Sequence, residues 1–235
     1  MKQFRPGKKM TLFVVLLLPL VTALGVWQLE RGAQKRALEM QYLNQLTALP
    51  TRLHSAEAPA PFQRIKLEGR YGDQVFLVDN QIHRGRTGYW IVQVFDEVGG
   101  KRLLVNRGFV AGASQRSILP EVSHPAEQLR LVGTVWPYTG LIPVLDEDLW
   151  PTSWPKRVQR LDIRRMADLV GALPFEVRLE AGQPGVMQAA PFAAVLSDAK
   201  HLGYAATWFG LALALLVAYL LFGYRSSAPG ADKAV

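Results

Sequence analysis

The chain has 235 residues with 27 Lys/Arg against 19 Asp/Glu, a formal net charge of +8, and no cysteine. The missing cysteine excludes disulfides, thiolate metal sites and thiol nucleophiles, and with them a copper chaperone built on Cys pairs. The five Met (1, 10, 40, 166 and 187) are scattered, so a Met-rich copper site has no support either.

Two uncharged stretches lie near opposite ends, Met10 to Leu29 and Leu202 to Phe222. At 1.5 Å per residue each is long enough for a hydrocarbon core of ~30 Å. The expected layout is a flank at 1–9, a span at 10–29, a polar domain at 30–200, a span at 201–222 and a tail at 223–235. Lys2, Arg5, Lys8 and Lys9 precede the first stretch with no acid, and Arg225 and Lys233 follow the second against Asp232. The positive-inside bias then puts both termini in the cytoplasm. The middle segment, with 21 Lys/Arg and 18 Asp/Glu, lies outside. A cleaved signal peptide competes for the first stretch, through Ala23-Leu24-Gly25 as a loose cleavage site. The apolar run is longer than an h-region and continues to Leu29, which favours a retained span. No Arg/Ser-rich amphipathic leader precedes it, so the expected home is a bacterial inner membrane with a periplasmic domain.

Beyond the first span, Leu38, Tyr42 and Leu46 at i, i+4 and i+8 predict that the helix continues through Arg31–Leu46. Pro50 to Pro61 reads as a linker. Period-two runs follow at Arg64–Glu68, Val75–Val78, Tyr89–Phe95, Leu103–Val105, Leu129–Trp136 and Phe175–Leu179. Tyr71-Gly72-Asp73, Gly85–Gly88 and Val98-Gly99-Gly100 are expected to be the turns between the first four. One helix is predicted among them, with Asp162 as N-cap, Ile163, Met166, Ala167 and Val170 as its apolar stripe, and Gly171 as its stop. The fold class expected is a membrane protein, two transmembrane helices flanking an external β-rich α+β domain, antiparallel and barrel-like.

The sequence holds no phosphate loop, dinucleotide fingerprint or Gly-x-Ser-x-Gly, and an enzyme is not expected. Asp146-Glu147-Asp148 reads as a solvated loop rather than a hard-cation site. Lys156, Arg157, Arg160, Arg164 and Arg165 form the one dense basic cluster, read as a solvated or lipid-headgroup-facing surface rather than a nucleic-acid site. His54, His83 and His124 are expected at the surface, beside turn residues or in a polar hairpin. His201 opens the second span with Tyr204 and Trp208 on the same helical face, near the depth where Trp27, Gln28 and Arg31 leave the first. An imidazole there can ligate an iron while aromatic rings pack a macrocycle. The same residue types also suit an interfacial belt. Ala206, Gly210, Ala214 and Ala218, a small residue every fourth position, are expected to pack on the first span, which turns His201 to the opposite side.

Four segments carry a family resemblance: Leu24–Arg31 (LGVWQLER), Leu104–Val110 (LVNRGFV), Trp154–Gln159 (WPKRVQ) and His201–Phe209 (HLGYAATWF). In this order they resemble the surfeit-locus family of cytochrome c oxidase assembly factors, nearly end to end. Phe109 stands where that family usually has Trp, Lys200 where Asn is common, and Ala189-Ala190-Pro191-Phe192 where an Arg-Pro-Pro run is often found. The resemblance implies an assembly factor for a haem-copper oxidase that holds haem a transiently and helps to build subunit I alongside other assembly factors. It also implies His201 as the iron ligand, with Trp27, Gln28, Arg31, Tyr204 and Trp208 as neighbours and Arg31 suited to a haem propionate. A cofactor-free scaffold that docks oxidase subunits through the external domain is the alternative.

Overall fold

The computed structural model describes residues 4–53, 59–115, 117–137, 150–189 and 197–225. His54, the acidic cluster Asp146-Glu147-Asp148, residues 190–192 and the tail after Arg225 lie outside the described residues. The chain divides into two compact units, Met1–Met40 with Ala193–Val235, and Gln41–Phe192.

The first unit is built on two long helices, α1 (Lys8–Leu46) and α3 (Ala199–Arg225). Both are long and apolar enough to cross a membrane. As expected, α1 does not stop at Leu29; it also passes through Pro19 without a break.

The second unit is a seven-stranded sheet: β1 (Thr51–Arg52), β2 (Arg64–His83), β3 (Arg86–Glu97), β4 (Arg102–Ala111), β5 (Leu129–Trp136), β6 (Lys156–Val158) and β7 (Glu176–Leu179). The two early runs expected as separate strands are one strand of 20 residues. Tyr71-Gly72-Asp73 is not a turn: the register shifts there against β3, between Tyr71 and Val75, and the strand bends through a bulge instead of reversing. The other two signals mark turns: Val98-Gly99-Gly100 follows β3 as expected, while the first turn is Arg84-Gly85, with Arg86, Thr87 and Gly88 already paired in β3. Arg84 and Gly85 both take positive φ (51° and 75°), the conformation a two-residue hairpin needs between paired His83 and Arg86.

The long β2 lets the ladder return on itself. Its first part, Arg64–Gly69, pairs with β5 while the remainder pairs with β3, and β4, β7 and β5 complete the circuit. The sheet is mixed rather than antiparallel, because β1–β2, β2–β6 and β4–β7 are parallel pairs. Part of the expected linker is thus strand, with Thr51 and Arg52 opposite Ile65 and Lys66. Hydrophobic residues occupy both faces. Ile65, Leu67, Phe95, Leu103, Val105, Leu131 and Val177 pack in one cluster. Phe76, Val92, Val94 and Leu104 form another beneath α2 (Ile163–Val170). That helix follows its sequence signals closely. The Asp162 side chain accepts from the Arg165 N–H at 3.2 Å, Gly171 closes the end at φ 67°, and Ile163, Met166, Ala167 and Val170 are buried.

Candidate functional site

The helices of the first unit meet along a face that repeats about every seven residues. On α1 the shielded positions include Val14, Val21, Gly25, Gln28 and Gly32; on α3 they include His201, Ala205, Phe209 and Ala212. This spacing suits two helices that stay in contact over several turns. Gly25 is a point of close approach, since a Cβ there would meet the Phe209 ring at 2.8 Å. Toward one end Thr11 Oγ1 and Tyr219 OH are 3.0 Å apart, and toward the other Arg36 Nη1 donates to Asp198 Oδ2 at 2.5 Å.

The contact face is not the one expected from the four-residue stripe. Ala206, Gly210, Ala214 and Ala218 are exposed, and a Cβ at Gly210 would have nothing within 4 Å. His201, expected on the far side, instead faces α1. The four-residue rule finds one narrow crossing, whereas this pair follows a seven-residue seam on which Ala205 and Ala212 supply the small positions.

His201 is half-buried. Its Nδ1 lies 2.8 Å from Gln28 Oε1, and its Cβ lies 3.5 Å from where a Cβ on Gly32 would sit. Of the six residues singled out in the sequence, these two are joined directly. Arg31 is exposed, donates to Gln34 Oε1 at 3.1 Å and lies over the Trp27 ring, 5.7 Å from its centroid. Trp27 is 47% exposed, Tyr204 is 59% exposed one turn beyond His201, and Trp208 is half-buried. The donor set fits a haem iron: an imidazole with one ring nitrogen engaged by an amide and the other left out of that bond, and exposed aromatic rings able to face a large planar ligand.

In the sheet domain the motif Asn106-Arg107-Gly108 sits at a bulge, where Ile91 pairs with Gly108 and Val92 with Asn106. The bulge sends Arg107 inward, 1% exposed. Its Nε donates to Gly185 O at 2.7 Å, Nη2 to Ser123 O at 2.7 Å and Nη1 to Gln93 Oε1, while the guanidinium stacks on Tyr71 at 4.7 Å. Burial holds the Arg107 pKa below its ordinary value and pushes the Tyr71 phenol up to about 12. Asn106 Nδ2 donates to Glu176 Oε1 at 2.7 Å in the interior. Gly108 takes φ 103° with Gln188 O pressed where a Cβ would be, and Phe109 N–H donates to that carbonyl at 2.7 Å. No chemical role is legible for this motif from residue types alone. The available signal is a polar pair and a Gly interrupting an apolar strand, which marks a bulge.

Two further histidines depart from expectation. His83 is buried against Trp90 and Phe109, with ring centroids at 6.2 and 5.3 Å. His124 is half-buried, its Nδ1 3.1 Å from Gln93 Nε2, and so belongs to the surroundings of Arg107. A polar neighbourhood in sequence does not expose a side chain whose ring points into a packed face.

Two helices long and apolar enough to cross a membrane, flanking a sheet-rich domain, are the build of a membrane-anchored domain protein. The SURF1 family profile matches residues 15–213, which takes in most of α1, the whole sheet and the first half of α3, and the chain belongs to that family. Among its relatives, a SURF1-like protein of Rickettsia felis is 25% identical over 91% of this chain and 96% of its own length. A SURF1-like protein of Rickettsia conorii is 24% identical over 92% of each. One from Dictyostelium discoideum is 22% identical over 88% of this chain and 92% of its own.

Proposed function

We infer that this protein is an assembly factor for a haem-copper (cytochrome c) oxidase, carrying no catalytic step of its own, which binds haem a transiently and assists its delivery to subunit I. Membership of the SURF1 family supports the oxidase part. The observation that carries the haem part is His201 held on Gln28 between two membrane-length helices. In this reading His201 offers a ring nitrogen to the iron, Trp27, Tyr204 and Trp208 supply ring surface, and Arg31 neutralises a propionate at the hydrated interface. Haem, when bound, would supply the iron that His201 ligates, and the protein's part would be to hold and release the group.

The test is haem content per mole of whole protein purified from haem-a-producing cells, with the Soret band recorded. His201→Ala is expected to lose most of the haem, and Arg31→Ala to retain more than His201→Ala, because an exposed ion pair is worth little. Gly210→Leu is the control, at an exposed position. His124→Ala is unsuitable, since it disturbs the buried surroundings of Arg107. An unchanged spectrum in His201→Ala would reject the ligand assignment and favour the cofactor-free scaffold.

The same reading puts both termini in the cytoplasm and residues 30–200 in the periplasm of a bacterial inner membrane. Arg5 ahead of α1, Lys8 and Lys9 in its first turn, and Arg225 ending α3 support it. A cytoplasm-active reporter fused at Val235 is expected to work and a periplasm-only reporter there to stay silent. The reverse pattern would end the hairpin topology.

A further inference from the structure

We propose that Gln28 is the positioning residue of His201, selecting the ring tautomer that can bind a metal, and that this selection holds only while α1 and α3 are docked.

Gln28 Oε1 is an acceptor and cannot donate, so the 2.8 Å contact requires the proton on His201 Nδ1. A neutral ring then carries its lone pair on Nε2, at the far edge from Gln28. A histidine side chain in water prefers the proton on Nε2, and which nitrogen is protonated in a protein is set by the hydrogen bond the other one makes. Without Gln28 the lone pair moves to Nδ1, the nitrogen turned toward α1 and closed to a large ligand. The amide thus acts through the histidine, as an outer hydrogen bond acts on a metal's ligand, and not as a neighbour of the iron.

Acceptor and ring lie on different helices, 173 residues apart in sequence. Gln28 reaches the ring because Gly25 lets Phe209 close onto α1 and Gly32 leaves no side chain beside the His201 Cβ. Anything that parts the helices removes the acceptor and withdraws the presented nitrogen. Helix docking is therefore coupled to ligand competence, and helix separation is a route to release.

The tautomer statement stands without any cofactor; its consequence for affinity rests on the haem reading above. The experiment records ring ¹⁵N shifts of His201 in the whole protein, free of haem, in detergent, with the imidazole neutral. The parent is expected to show the Nδ1–H tautomer. Gln28→Leu is expected to shift the population toward Nε2–H, Gln28→Glu to keep Nδ1–H because the carboxylate still accepts, and Gly25→Leu to lose it with Gln28 intact. On loading, the haem Kd is expected to rise by about tenfold or more in Gln28→Leu. An Nε2–H ring in the parent, or an unchanged tautomer in Gln28→Leu, overturns the proposal. A parent with the Nδ1–H ring that takes up no haem supports the positioning role while rejecting the haem reading, so the two failures are told apart.

Discussion

Replacing Arg107 with lysine is expected to destabilise the sheet domain almost as much as replacing it with methionine, by about 3–5 kcal/mol in each case. The guanidinium is fully buried and the groups it meets are neutral: two loop carbonyls, the Gln93 amide oxygen and the Tyr71 ring. Desolvating the charge costs several kcal/mol, so the net worth of the arrangement lies in what those three hydrogen bonds hold. They tie β4 to the loop around Gly185 and to Ser123, segments with little regular structure of their own. Lysine keeps the charge but is a compact ammonium on a flexible stem and cannot serve acceptors spread around a planar fork. Methionine removes the charge and leaves Gln93 Oε1 buried without this donor, at about 1–3 kcal/mol, while the part-buried carbonyls of Gly185 and Ser123 lose the bonds that hold their loops. The expected reading is a melting temperature lower by about 10 °C for both variants of the whole protein. A lysine variant within a degree or two of the parent would show that the geometry of the fork is not what holds the loops.

What the sequence made legible follows from how each element is stabilised. Alternation revealed β3, β5 and β7 because one period-two run sufficed, and α2 was visible because its cap, stripe and stop all lie within ten residues, Asp162 to Gly171. The short strands β1 and β6 were hidden, since two or three residues have no period and owe their extension to β2 beside them. The bend at Tyr71-Gly72-Asp73 misled because a bulge and a turn use the same residue types, and only the partner strand decides between them. At the site, His201 was legible as a residue type at a membrane depth, yet its orientation was not. That depends on which of two small-residue spacings the helices adopt, a choice made by the packing of Phe209 on Gly25.

That packing carries the second large effect. Gly25→Leu is expected to break the association of α1 with α3, whereas Gly210→Leu leaves it intact. Between helices in lipid there is no hydrophobic drive to associate, because the tails are as apolar as the side chains; close backbone approach and specific hydrogen bonds must do it. At Gly25 even a Cβ would lie 2.8 Å from the Phe209 ring, inside contact distance, so a leucine must displace the ring or force the helix axes apart. Overpacking of this kind costs about 1–3 kcal/mol, comparable with the interactions that remain at Thr11–Tyr219 and Arg36–Asp198. At Gly210 the same substitution enters open space. The chain's lack of cysteine makes the measurement clean: Thr11→Cys with Tyr219→Cys, joined by a short bifunctional thiol reagent, should crosslink within one molecule in the parent and in Gly210→Leu. The yield should fall several-fold in Gly25→Leu. Equal yields in all three would mean that the glycine contact does not hold the pair together, and with it would go the reason for Gln28 and His201 to meet.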